Sequence, residues 1–144
     1  MPCGYSSRKN PPRWICPCAG NGVGYLYPTA ALREAIVNAL AHHDWTRYEE
    51  IEVVRYGNRL EILSPGALQN SMTIEKMIAG RRSPRNHAIV DILRDYGYVD
   101  ARGMGVRNKI IPLLREQNGV EPEFQATEDY LRVTMFRGGR ARIP

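Results

Sequence analysis

Glu34 and Asn38 stand four apart within the stretch Leu32-Arg-Glu-Ala-Ile-Val-Asn-Ala-Leu-Ala-His-His-Asp44. On a helix this spacing places both side chains on one face, one turn apart. A carboxylate so placed can orient or deprotonate a water, and a carboxamide oxygen is a hard ligand suited to Mg²⁺. That is the chemistry of a nucleotide pocket built on a helix. It is equally the pattern of a solvated polar pair, since surface helices keep a polar outward face. Leu32, Ile36, Ala39 and Leu40 gather on the other side at the helical step of about 100° per residue.

Further groups lie downstream. Gly103-Met-Gly105 precedes a helical pattern; glycines let the backbone approach a ligand, and a helix N-terminus offers N–H groups to phosphate oxygens. A tight turn explains the same residues. Arg102, Arg107 and Lys109 flank it as phosphate partners or as ordinary surface charge. Arg81, Arg82 and Arg85, followed by Asn86, put three guanidiniums within five positions. They suit phosphates or a nucleic-acid backbone, or a solvated loop in which Arg85 pairs with Asp91 or Asp95. His42 and His43 close the first helix, where an interaction with the helix C-terminal dipole is the simpler reading than metal ligation.

The helix carrying Glu34 and Asn38, the hairpin from Ile51 to Pro65, and Gly80-Arg-Arg-Ser-Pro-Arg-Asn86 together resemble a known family over Tyr25 to about Met135. It is the C-terminal module of RecG-related "ATP-dependent DNA helicase" and transcriptional-regulator-type proteins, associated upstream with Schlafen- or AlbA-like domains. This module is similar to the GHKL (gyrase, Hsp90, histidine kinase, MutL) ATPase fold. The resemblance implies ATP and Mg²⁺ as cofactors, with Glu34 as the water-activating base and Asn38 as the Mg²⁺ ligand. It places Gly103 and Gly105 beside the phosphates and Arg85 in a mobile lid, where His87 replaces the family's proline. It puts Ser64 where GHKL proteins carry the aspartate that accepts from the adenine amino group, with Gly66 retained. A hydroxyl is a weaker acceptor than a carboxylate, so adenine recognition departs from the family pattern here.

The elements needed to hold these groups can be read from the chain. Residues 1–24 carry prolines, glycines and no sustained period, and read as an irregular or disordered leader. Residues 25–136 form the GHKL-like domain and 137–144 a basic tail. Pro28 and Thr29 start a helix that runs to His42 or His43. Ile51–Tyr56 and Arg59–Leu63 are strands joined by Gly57-Asn58, a hairpin signal. Thr73 caps a short helix stopped by Gly80. Further helices are predicted over Asn86–Tyr96 and Val106–Gln117. Phe124–Ala126 and Tyr130–Phe136 form a closing hairpin, with Leu131, Val133 and Met135 on one side. The whole predicts an α/β two-layer sandwich, a mixed sheet with helices on one face. The absence of a matching upstream domain reads as truncation at the N-terminus, and a sheet edge exposed by it favours a homodimer.

The 144 residues are 43% apolar, enough for a buried core. No apolar run approaches the ~18 residues of a membrane span, and the first residues lack a signal-peptide apolar region. A cytoplasmic protein with no membrane contact is expected. The net charge of +5 permits phosphate-bearing partners. Cys3, Cys16 and Cys18 are the only cysteines, and Cys16-Pro-Cys18 lacks the two-to-four-residue spacing of a zinc hairpin. Two functions therefore compete. One is a nucleotide-binding module, a weak ATPase or a degenerate binder. The other is a nucleic-acid or protein interaction module that has lost the nucleotide, touching DNA through Arg81, Arg82 and Arg85. No Gly-x₄-Gly-Lys-Ser/Thr loop occurs, so the chain is not a helicase motor by itself. No Gly-x-Ser-x-Gly elbow occurs either.

Overall fold

The computed structural model describes residues 15–16, 24–99 and 105–138. In chain order these form β1 (Ile15–Cys16), β2 (Gly24–Tyr25), α1 (Thr29–His42), β3 (Glu52–Arg55) and β4 (Arg59–Pro65). There follow α2 (Ile74–Ile78), α3 (His87–Asp95), a π-helical turn (Val106–Ile110), α4 (Ile111–Asn118), β5 (Glu123–Ala126) and β6 (Tyr130–Phe136). β1, in the predicted leader, and β2, at its boundary with the predicted domain, form a two-residue antiparallel ladder.

The main sheet has the order β3-β4-β6-β5. Every pairing in it is antiparallel, which corrects the expectation of mixed strand directions. β3–β4 and β5–β6 are hairpins, and a hairpin joins only antiparallel strands. The first is closed by the Tyr56 N–H donating to the Arg59 carbonyl at 2.8 Å, leaving Gly57-Asn58 as the turn. The layer arrangement itself is the predicted one. Leu60 and Ile62 of β4 and Leu131, Val133 and Met135 of β6 are buried under the helices, since alternate strand residues face the same side. The opposite face carries polar pairs such as Arg59 Nε to Glu61 Oε1 at 2.7 Å.

Small residues let α1 lie close over this sheet: Ala31, Ala35 and Ala39 are buried in the main core with Ile110, Leu114 and the strand side chains. Burying each large aliphatic side chain contributes about 1.5–3 kcal/mol, and those that α1 covers come from β4, β6, the π turn and α4. A second cluster of Val37, Ala41, Val90 and Val99, with Leu93 against it, joins α1 to α3.

Two helix features are settled by side chains. The Thr73 hydroxyl accepts from the Lys76 N–H at 3.3 Å, capping α2 as its sequence predicts. The single helix predicted over Val106–Gln117 is instead a π-helical turn followed by α4. Pro112 explains the difference: it has no N–H and its ring crowds the carbonyl four residues back. The Ile111 N–H bonds to the Val106 carbonyl, five residues back, so the chain widens by one residue ahead of the proline. Gly119, with φ of 69°, ends α4 in the left-handed region.

Candidate functional site

One face of α1 forms the wall of a cleft of about 330 Å³, contributed by Glu34, Val37, Asn38, Ala41 and His42. The facing wall comes from Met77 of α2, the segment Arg81–Pro84, α3 and the start of the π turn. The spacing of 34, 38 and 42 places one polar residue per turn along this wall. The polar face predicted for α1 is therefore turned inward onto a cleft, and Glu34 is only 7% exposed.

Glu34 is held from two sides. Lys109 Nζ lies 3.6 Å from Glu34 Oε2. A Cβ placed on Gly105 would fall 1.7 Å from Glu34 Oε1. Glycine at 105 is thus required for this packing, a second use for the residue beyond any approach to phosphate. Lys109, read as a phosphate partner or surface charge, is an ion-pair partner of the carboxylate. Arg107 donates to the Ala79 carbonyl at 3.4 Å. Arg102 and Gly103 lie outside the described residues.

The cleft's charge is unevenly distributed. Arg81, Arg82 and Arg94 line it, with Arg94 paired to Asp91 at 2.8 Å. Val37, Ala41, Val90 and Val99, the second apolar cluster, supply an apolar part of the lining. His42 lies among these residues and is 7% exposed. Burial, with the Arg85 charge as the lesser cause, pushes its pKa down to about 4. Burial thus disfavours the charged imidazole that would interact with the helix-end dipole. Asn38 Nδ2 and His42 Nδ1 are both buried without a hydrogen-bond partner. His43 is buried as well and meets the Trp45 ring edge-on at 4.3 Å.

Three other residues implicated by the resemblance do not line this cleft. The Ser64 hydroxyl is buried and donates to the Ala39 carbonyl at 2.8 Å, fastening β4 to α1. Gly66 has φ of 109°, and a Cβ there would stand 2.6 Å from Asp44 Cβ. It also donates its N–H to the Asp129 carbonyl at 2.7 Å, so it fits two crossing backbones together. Arg85 reaches Asp44 Oδ2 at 3.6 Å and the Ala67 carbonyl at 2.9 Å, not Asp91 or Asp95. Thr46 hydrogen bonds, aided by Arg85 and Arg47, hold the Asp44 carboxyl below its usual range.

Asn86 has a role that sequence reasoning missed. Its Nδ2 donates to the Leu40 carbonyl at 2.9 Å and the His43 carbonyl at 2.8 Å, with Ala41 at 3.3 Å. Its own N–H also bonds to the Ala41 carbonyl at 3.0 Å. The last carbonyls of a helix have no partner within it, and Asn86 supplies one from the position just ahead of α3. The sequence shows only an asparagine at the start of the predicted helix Asn86–Tyr96, with nothing that points to carbonyls of α1.

Among the described residues, no group of three His, Cys, Asp or Glu side chains could hold a metal ion. Cys3 and Cys18 lie outside those residues. No helix of the described chain is long and apolar enough to cross a membrane.

The antiparallel sheet under helices is an α/β sandwich, and its class is set by the sequence match, which is to an HATPase-type module. Residues 49–135 match the family described as "Putative ATP-dependent DNA helicase recG C-terminal", and the chain belongs to that family. Glu34 and Asn38 lie ahead of the matched stretch. Among solved structures, the chain is similar to the DIP2311 protein from Corynebacterium diphtheriae, at 27% identity and a TM-score of 0.69. The similarity covers 79% of this chain and 24% of that one, so the chain spans about a quarter of that protein's length. No curated protein matches it.

Proposed function

We propose that the cleft binds a nucleoside polyphosphate with Mg²⁺. The observation that carries this is the composition of the cleft wall: Glu34 and Asn38 one turn apart beside Gly105, with Arg81 and Arg82 across from them and an apolar section adjoining. Arginines suit phosphate oxygens, and an apolar slot with a few placed polar groups suits a ring. The donor set fits the metal: a carboxamide and a carboxylate are hard oxygen ligands. Asn38 would hold Mg²⁺, which when bound offsets the charge of the phosphates. Glu34 would orient or deprotonate a water, giving at most a slow ATPase. Arg85 serves the fold rather than the ligand in this reading.

The competing reading, DNA contact through Arg81, Arg82 and Arg85, draws on the exposure of Arg81 and Arg82. Its third member is engaged within the fold.

A ¹⁵N-labelled spectrum titrated with ATP or ADP, with and without Mg²⁺, tests the proposal. Mg²⁺-dependent shifts at Asn38 and Gly105 are expected, lost in Glu34→Ala and Asn38→Ala, with Ser64 and Gly66 moving little. No shift at millimolar nucleotide would overturn it. Strongly salt-dependent DNA binding without a nucleotide response would favour the other reading.

A further inference from the structure

Among the polar groups that neither water activation nor phosphate binding uses, one in the cleft is deeply buried. His42 forms part of its wall beside the apolar Val37, Ala41 and Val90. It is more than nine-tenths buried and its Nδ1 has no partner in the protein. A buried hydrogen-bonding group left unpaired is costly, and such groups concentrate where something else completes them. A neutral imidazole offers one donor and one acceptor. The lining carries two kinds of residue: arginines suited to an anion, and aliphatic side chains with an imidazole suited to a flat ring with a polar edge. Ser64, the residue implicated in base recognition by position, spends its hydroxyl proton on the Ala39 carbonyl and is absent from the lining.

We infer that His42 is the residue that recognises the heterocyclic base of the ligand, hydrogen-bonding its polar edge while Val37, Ala41 and Val90 pack on its face. This rests on the nucleotide reading above and assigns the end of the ligand that reading leaves open. Arg81 and Arg82 then take the phosphates, and Asn38, one turn before His42 on α1, lies between the two ends.

The discriminating probe is inorganic tripolyphosphate, which carries the phosphates without a base. In the wild-type chain, ATP with Mg²⁺ should move the ring-nitrogen resonances of His42. Tripolyphosphate with Mg²⁺ should move the Asn38 and Gly105 amides and leave those ring nitrogens in place. His42→Phe, which keeps a flat buried ring, should weaken ATP by about tenfold, the value of one hydrogen bond, with tripolyphosphate affinity unchanged. The wild-type spectra keep the test decisive if that variant does not fold. Equal effects of ATP and tripolyphosphate on the His42 ring, or equal losses of both ligands in His42→Phe, would overturn the base-reading role while leaving the nucleotide site standing. Binding of neither ligand would overturn both.

Discussion

Asn86→Ala removes the donor that three carbonyls at the C-terminal end of α1 share, those of Leu40, Ala41 and the capping His43, and its cost can be worked from the distances. Two of the contacts, to Leu40 and His43, are within 2.9 Å, while the third, at 3.3 Å, goes to a carbonyl that already accepts the Asn86 N–H. The amide has two hydrogens, so two full bonds are lost. At about 0.5–1.5 kcal/mol each, with partly buried carbonyls left short of a partner, the loss is about 2–3 kcal/mol. Small domains have about 5–15 kcal/mol of stability in total, so the effect is a sizeable share. Urea unfolding followed by circular dichroism should show the midpoint falling by about 1–2 M with an unchanged slope. Asn86→Asp should cost more than Asn86→Ala, because it turns an acceptor-only carboxylate toward carbonyl oxygens. A loss below about 0.5 kcal/mol in Asn86→Ala, or an Asn86→Asp variant as stable as the wild type, would refute the tether.

Three other substitutions or conditions give readings of their own. His42 has its folded pKa depressed from 6.5 to about 4; its contribution is fully present above pH 6.5 and is lost as pH falls from there toward 4. The loss should reach about 3 kcal/mol at pH 4, visible as a falling urea midpoint that is flatter in His42→Phe. Gly105→Ala forces the Glu34 side chain aside, breaking its arrangement with Lys109, and should cost about 1–3 kcal/mol and weaken Mg²⁺-nucleotide binding; a melting curve and a titration calorimeter measure the two. Ser64→Ala should cost about 1–2 kcal/mol through the lost bond to the Ala39 carbonyl and leave nucleotide affinity unchanged, which calorimetry would show.

Local signals were legible in the chain. The Gly57-Asn58 turn, the Thr73 cap, the glycine stops and the alternation of Leu131, Val133 and Met135 are short-range features that their own neighbours determine. The Glu34/Asn38 pair was legible for the same reason, being defined within one helix. What was not legible depends on contacts between distant segments. Ser64 is engaged by a carbonyl 25 residues away and Asn86 by carbonyls 43 to 46 residues away. A motif fixes where a residue stands along the chain but not which partner meets it first, so Ser64, Gly66 and Arg85 read as ligand contacts and prove to be joints of the scaffold. His42 shows the converse: helix-end position suggested an interaction with the C-terminal dipole, and its burial, which depends on the segments packed around it, favours the neutral imidazole. The π turn follows from Pro112, whose missing N–H was visible but whose accommodation depends on how the core holds the helices on either side.

The order of strands in the main sheet has a kinetic meaning. β4 and β6 lie side by side at its centre, paired over seven residues from Arg59↔Phe136 to Pro65↔Tyr130. Between them along the chain run about sixty residues, holding every helix except α1. Closing a loop of that length costs about 4 kcal/mol in chain entropy before any pairing returns it, and topologies dominated by such distant contacts fold slowly. The β3–β4 hairpin can form early, but until β6 arrives β4 presents an unpaired edge and α1 lacks half of its supporting floor. On a ribosome this chain would hold its apolar α1 face and the β4 edge open until its last strand had emerged, which makes that interval the point at which it most needs protection from aggregation.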